Sequence, residues 1–235
     1  MAGPEREVPQ ALSLSIVAWA AWSGKGDVMA SGGAIHPATS LPASLRRRIT
    51  PMGRKALEAA WMVLAGRQEH EPRIILSSRH GEYARTLGLL ASLAESGEVS
   101  PAEFSLAVHH GLAGLLSIAT GNHAGHTAIS AGVDSFGGAL CEAAACLADG
   151  DGTVLLLHFD EALPDSYDPV GGGAEAGLAL ALLLSVGEEV ELGWRPAEVP
   201  GTESAASALL RLLAGGVGQA SATGERMTWS FSRAA

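Results

Sequence analysis

The 235-residue chain is 47% hydrophobic and 17% charged, which excludes a disordered chain and is enough to bury one sizeable α/β core. Its formal net charge of −10 argues against general nucleic-acid binding, because phosphates would be repelled. Only 5% of residues are aromatic against 30 glycines, so the core should be aliphatic and close-packed.

The N-terminal "MAGPEREVPQ" carries no basic region followed by an apolar core, so no secretory signal is expected. "LSLSIVAWA" (12–20) alternates and reads as a first strand. Gly24, Lys25 and Gly26 open a loop to about Pro42. "LRRRITPMGRK" (45–55) concentrates five cations, including Arg46, Arg47 and Arg48. It reads either as a solvated helix start, the commoner case, or as a binding patch. Thr50 as N-cap, Pro51 at the first helical position and Gly66 at the end predict a helix over 50–66.

"RIILSS" (73–78) predicts a second, buried strand, and 80–97 a helix stopped by Gly97. Residues 100–121 open with a Ser100–Glu103 capping box and stay apolar nearly all round, which predicts one buried helix. "HTAISAGVDSFGGALCEAA" (126–144) reads as a strand, a glycine-punctuated corner and a helix running to about Asp149. Strands follow at 152–160 and 175–186, with a Pro/Asp/Gly loop between them through "PVGGG". A helix at 203–216 and a short strand at 226–232 close the chain. Strands alternating with helices predict an α/β fold: a five-stranded, mixed but mostly parallel sheet covered by helices on both faces. A single domain over 1–235 is expected, with its core at about 12–186 and 187–235 as an extension. The longest apolar run, 177–187, is too short to span a bilayer, and a cytoplasmic location is the simplest expectation.

Few residues carry obvious chemistry. A serine-hydrolase elbow at Ser135 would need G-x-S-x-G, but Val133 stands where the first glycine belongs. His109 and His110 would point about 100° apart on a helix, and His123-x-x-His126 lacks a third ligand, so no metal site is expected. "GGGAEAG" (171–177) has the wrong spacing for a dinucleotide fingerprint. Cys141 and Cys146 fit small core positions inside the helix rather than the corner's tip, and no cofactor is implied.

The ordered set of segments resembles the N-terminal half of the β-ketoacyl synthases, over roughly 12–186. Ser100-Pro101, Ala113-Gly114, Ser117-Ile118, Gly121 and, one residue out of register, Gly125 match that family's central stretch. The segments 15–24 and 153–161 match its flanking strands. In that alignment the nucleophilic cysteine falls twelve residues after Gly121, where this chain has Val133. The two catalytic histidines of the family's second half find no counterpart, since no histidine follows His158 and the sequence stops where that half would start.

Within the family, "LPASLRRRITPMGRKALEAA", "SSRHGE", "FSLAVH" and "HFDEALP" resemble the short chain-length factors of aryl polyene-type pathways, which usually have Asn where this chain has His110. The resemblance implies a thiolase-like half fold and a non-catalytic subunit that pairs with an active synthase and shapes its acyl tunnel in polyene or fatty-acid-like biosynthesis. Tunnel or interface positions would be Phe104, Val108, His109, His110, Leu112, Thr127, Ile129, Ala131, Asp134 and Ser135. His109 alternatively serves as a hydrogen-bonded structural residue. The strand at about His126–Ala131 would pair with its counterpart in the synthase. Acyl carrier protein would be met through that partner, with Arg46–Arg48 as a minor contact. Two other classes stay open: a homodimeric acyl-binding protein on a degenerate synthase half, and a serine hydrolase using Ser135.

Overall fold

The computed structural model describes residues 11–22, 28–31, 42–67, 71–161, 163, 177–215 and 217–233. Strand β1 is Ala11–Trp22, β2 Val28–Ala30, β3 Arg73–Ser77, β4 His126–Ile129, β5 Val154–Asp160, β6 Leu178–Pro196, β7 Gln219–Thr223 and β8 Met227–Arg233. The helices are α1 Ala43–Arg46, α2 Pro51–Leu64, α3 Tyr83–Ser96, α4 Pro101–Ala107, α5 Gly111–Thr120, α6 Ser135–Ala148 and α7 Ala205–Leu213. Gly24–Gly26, the "PVGGG" loop and most of "GGGAEAG" lie outside the described residues.

The strands form one eight-stranded sheet in the order β2-β1-β6-β5-β3-β4, with β8 on the far half of β6 and β7 on β8. The α/β class and the mixed sheet agree with expectation; the strand count and the balance of directions do not. Among the described pairs only β3/β4 and β3/β5 are parallel, while β6 runs antiparallel to β1, β5 and β8. The reason lies in β6. Its first seven residues are buried, and the strand then continues through a stretch of mixed burial, with Val190 and Leu192 in the core, long enough to pair with β8.

The sheet is covered on both faces. Ile75, Leu156, Leu180 and Leu182 point one way, toward Phe136, Leu140 and Ala143 of α6 and Leu209 and Leu212 of α7. Ile74, Leu76, Leu155, Leu157 and Ala181 point the other way, toward Ala56, Leu57 and Ala60 of α2 and Leu112 and Leu116 of α5. Two buried faces explain why β5 and early β6 read as unbroken apolar runs, each buried Leu contributing about 1.5–3 kcal/mol.

Local signals set the helix starts. Thr50 Oγ1 caps α2 by accepting from Gly53 N at 3.1 Å, and Pro51 needs no donor there. Ser100 Oγ caps α4 through Glu103 N, but the Glu103 carboxylate, instead of closing the capping box, pairs with Arg85.

The single buried helix expected over 100–121 is instead two helices meeting at a 95° bend. Val108 is extended at ψ 149°, and Gly111 N donates to Val108 O at 2.8 Å; a Cβ on Gly111 would press on the Leu106 carbonyl. Only α5 is buried. α4 has no buried residue, nor has α3, and residues 90–105 are all exposed. Among the described residues no single helix is long and apolar enough to cross a membrane.

Candidate functional site: the corner between β4 and α6

β3, β4 and β5 end on the same side of the sheet, the usual location of α/β active sites. After β4 the chain turns at Gly132, which takes φ 62°, and enters α6 at Ser135. The tip of this corner is Val133, half-buried, with a bridge between Ala131 and Val133. An alkyl side chain there offers neither thiolate nor hydroxyl.

Ser135 is no substitute. It is 1% exposed, its Oγ donates to Gly132 O at 2.6 Å and accepts from Ala131 N at 2.9 Å, and it thereby closes the turn. The serine-hydrolase alternative fails on this geometry, because the hydroxyl is inside and engaged with backbone. Ser135→Ala should therefore leave esterase activity at the background of the unmodified chain and cost about 1–2 kcal/mol in denaturant unfolding.

Asp134 is also turned inward. Its Oδ1 accepts from Trp229 Nε1 and its Oδ2 from Arg226 N, both at 2.8 Å, and it is 5% exposed. The Trp229 indole lies against Gly137 on the first turn of α6, where any Cβ would overlap the ring. The β7–β8 hairpin thus clamps the corner from behind. The sequence offers one sign of this contact, the "GG" at 137–138, a close-approach mark inside a helix, and none at Trp229 itself.

A second layer surrounds the corner. Ser130 Oγ donates to Arg79 O, joining it to the loop 78–82 after β3. In that loop Ser78 Oγ and Arg79 N both donate to Asp160 Oδ1, at 3.0 and 2.8 Å, and Gly81 N donates to Ser78 Oγ at 2.7 Å. Glu161 Oε1 accepts from Ala84 N at the start of α3, and burial raises the Glu161 carboxyl pKa. The His109 ring packs on Gly81, whose φ of 62° excludes other residues without strain. The "SRHGE", "HFDE" and "FSLAVHH" segments thus interlock in space. His109 Nε2 is buried with no hydrogen-bond partner, so the bonded structural role considered for it is not met at that atom.

Deeper in, His158 Nδ1 meets Ser77 Oγ at 3.0 Å and Nε2 stands 3.7 Å from Asp160. Burial lowers the His158 pKa, against the pull of Asp160. Ser77 is 0% exposed, so this serine–histidine–aspartate series is core and not a reactive triad.

The other expected positions divide sharply. Leu112 is in the core. Phe104 and Val108 are 61% and 46% exposed and, with Leu89, Leu90, Leu93 and Val99, line an almost wholly apolar groove of about 370 Å³ between α3 and α4. Thr127 and Ile129 are half-buried on β4, a sheet edge, and Ala131 is exposed. Arg46, Arg47 and Arg48 are exposed on and after α1. Glu82 is buried between α2 and α3, accepting from Thr50 Oγ1 at 2.8 Å and facing Arg85, whose guanidinium also reaches the Arg48 carbonyl. Cys141 and Cys146 are half-buried along α6, and burial raises both thiol pKa values.

A mixed α/β sheet whose parallel strands deliver a tight corner into a helix defines a half fold of the thiolase and ketosynthase type. The chain belongs to the β-ketoacyl synthase family through its N-terminal domain, matched over residues 19–230.

Among solved structures it is similar to a chain of the ketosynthase in complex with its chain length factor from Xenorhabdus doucetiae. That match is 26% identical with a TM-score of 0.82, covering 94% of this chain and 100% of that one. It also shares its fold with the ishigamide ketosynthase/chain length factor (15% identity, TM-score 0.61, 88% of this chain and 74% of that one). A β-ketoacyl synthase from Burkholderia phymatum gives 15% identity and a TM-score of 0.57, over 88% and 71%. No curated protein sequence matches the chain. No group of three or more His, Cys, Asp or Glu able to hold a metal occurs among the described residues.

Proposed function

We propose that the chain is a non-catalytic chain-length factor: it pairs with an active β-ketoacyl synthase and bounds the space open to the growing acyl chain. The observation that carries this reading is the corner itself, built and braced in full around a valine. Conserving the geometry without the nucleophile makes sense when the corner positions an edge strand rather than a thiolate. Two further features support it. β4 borders the sheet with one side unpaired among the described residues, and the α3–α4 groove leaves Phe104 and Val108 open to a partner. Full coverage of a chain from a ketosynthase–chain length factor complex points the same way.

In this reading the pathway is of the polyene or fatty-acid-like type II polyketide kind. The catalytic subunit takes the main contact with the acidic carrier protein, and Arg46–Arg48 add at most a small basic patch to this acidic chain.

The test is co-expression with candidate synthases, followed by size-exclusion chromatography. A one-to-one complex with condensing activity supports the proposal. A stable homodimer that binds acyl thioesters without a synthase replaces it with the acyl-binding reading.

Val133→Cys separates architecture from chemistry. No histidine follows His158 in this sequence, so a thiol at the corner finds here no counterpart of the two catalytic histidines that the resemblance calls for. Purified alone, the variant should form no condensation product from acyl- and malonyl-carrier protein, as judged by mass spectrometry. Turnover by the isolated variant would contradict the non-catalytic assignment.

A further inference from the structure

His110 and His126 were each paired in the sequence with a different neighbour, His109 and His123. The fold breaks both pairs and makes a new one. The bend between α4 and α5 turns the His109 ring in over Gly81 and leaves His110 exposed at the N-cap of α5. His126, the first residue of β4, comes up beside it. Their Nδ1 atoms stand 3.0 Å apart, with ring centroids at 5.1 Å and planes tilted by 53°. The two rings therefore meet nitrogen to nitrogen instead of stacking, across sixteen residues of sequence.

We propose that His110 and His126 form a two-imidazole site for a divalent transition-metal ion of the Cu(II) or Ni(II) class. Imidazole nitrogens bind such ions at about 2.0–2.1 Å. Two nitrogens 3.0 Å apart on one ion then subtend about 95°, the cis angle of a square-planar or tetragonal site, whereas a tetrahedral ion would want about 3.3 Å. Imidazole suits Zn(II) as well as Cu(II) and Ni(II), so the cis spacing is what favours the latter two, and Cu(II) stands highest in the general affinity order.

The guanidinium of Arg73, which lies against Gly125 next to His126, is paired with Asp151 at 2.6 Å. Exposure of His110 leaves water to complete the coordination and gives the ion a direct path in. Without metal, one N–H···N bond joins the pair; binding replaces its proton with the ion, so the donor ring carries its proton on Nε2 instead and both rings turn their Nδ1 lone pairs from each other toward the metal. A bound ion would staple the start of α5 to the start of edge strand β4. The site stands independently of the proposed pairing with a synthase.

The test uses the full, tag-free chain titrated with CuCl₂ and NiCl₂ in chelator-free buffer, followed by calorimetry and Cu(II) EPR. The expected result is one site showing two equatorial imidazole nitrogens, weakened by about tenfold or more in either His110→Ala or His126→Ala, since the second ligand acts at high effective concentration. His123→Ala should bind as the unmodified chain does. Binding should weaken on acidification, because the ion takes neutral imidazole and displaces protons. Equal Cu(II) affinity in the unmodified chain and in His110→Ala, whose exposed side chain the fold does not need, overturns the site and leaves only a hydrogen-bonded pair.

Discussion

Ala128→Pro should abolish copurification with the synthase partner while leaving this chain folded. The backbone pattern of β4 sets this expectation. Ile74 N donates to Gly125 O and Ser78 N to Ile129 O, so the odd-numbered residues of β4 turn their amides toward β3. In a pleated strand the even-numbered ones turn the other way. Ala128 therefore presents its N–H at the free edge, where a partner strand would take it. Proline removes that donor and places ring atoms in the path of the incoming strand, yet it is tolerated on an edge whose outward N–H bonds nothing within the chain.

A lost hydrogen bond of about 0.5–1.5 kcal/mol and a partner carbonyl left unsatisfied at about 1–3 kcal/mol together weaken association by about tenfold to a thousandfold. Thr127→Pro is the contrasting variant. Its amide belongs to the β3/β4 ladder, so the chain itself should lose stability. Circular dichroism and size-exclusion chromatography of both variants, with and without the synthase, distinguish the cases. Unimpaired complex formation by Ala128→Pro would remove β4 from the interface.

How much of this was legible beforehand follows from the range of the interactions. Thr50-Pro51 and Ser100-Pro101 announced α2 and α4 because capping is decided within four residues. β3 and β5 are visible as apolar runs and the corner as a glycine-punctuated turn, at which the resemblance places Val133. The break at Val108–His110 was hidden because an apolar, glycine-containing segment satisfies helix periodicity on either side of a bend. The helix carrying Phe104 reads as buried for the same reason, yet Phe104 is exposed; hydrophobicity alone does not say whether a side chain is covered by its own chain or left for another. The second half of β6 was missed because its exposed glutamates have no strand signature until β8 lies beside them. His110 with His126, and Asp134 with Trp229, are contacts that only the fold creates.

The Asp134–Trp229 contact yields the largest expected loss of stability. Trp229 is 4% exposed, packs against Gly137 and Trp194, and gives its indole N–H to Asp134. Trp229→Ala removes a large buried ring, at about 3–5 kcal/mol, and leaves one oxygen of a buried carboxylate unpaired at about 1–3 kcal/mol more. Against a typical total of about 5–15 kcal/mol, that is enough to unfold a large fraction of the chain near body temperature. Trp229→Phe keeps most of the packing and loses only the N–H, so it should cost about half as much.

Asp134→Asn tests the electrostatic half of the same contact. The amide oxygen can still accept from Trp229 Nε1, but the amide nitrogen then faces the Arg226 N–H, which the carboxylate now satisfies. Urea unfolding should rank the chains as unmodified, Trp229→Phe, Trp229→Ala in falling stability, with Asp134→Asn also below the unmodified chain. A Trp229→Ala chain as stable as the original would mean that the hairpin does not hold the corner. Partner binding by Trp229→Phe then reports on the corner's geometry apart from global unfolding: a braced corner tolerates loss of one hydrogen bond, and an edge strand that depends on this anchor does not.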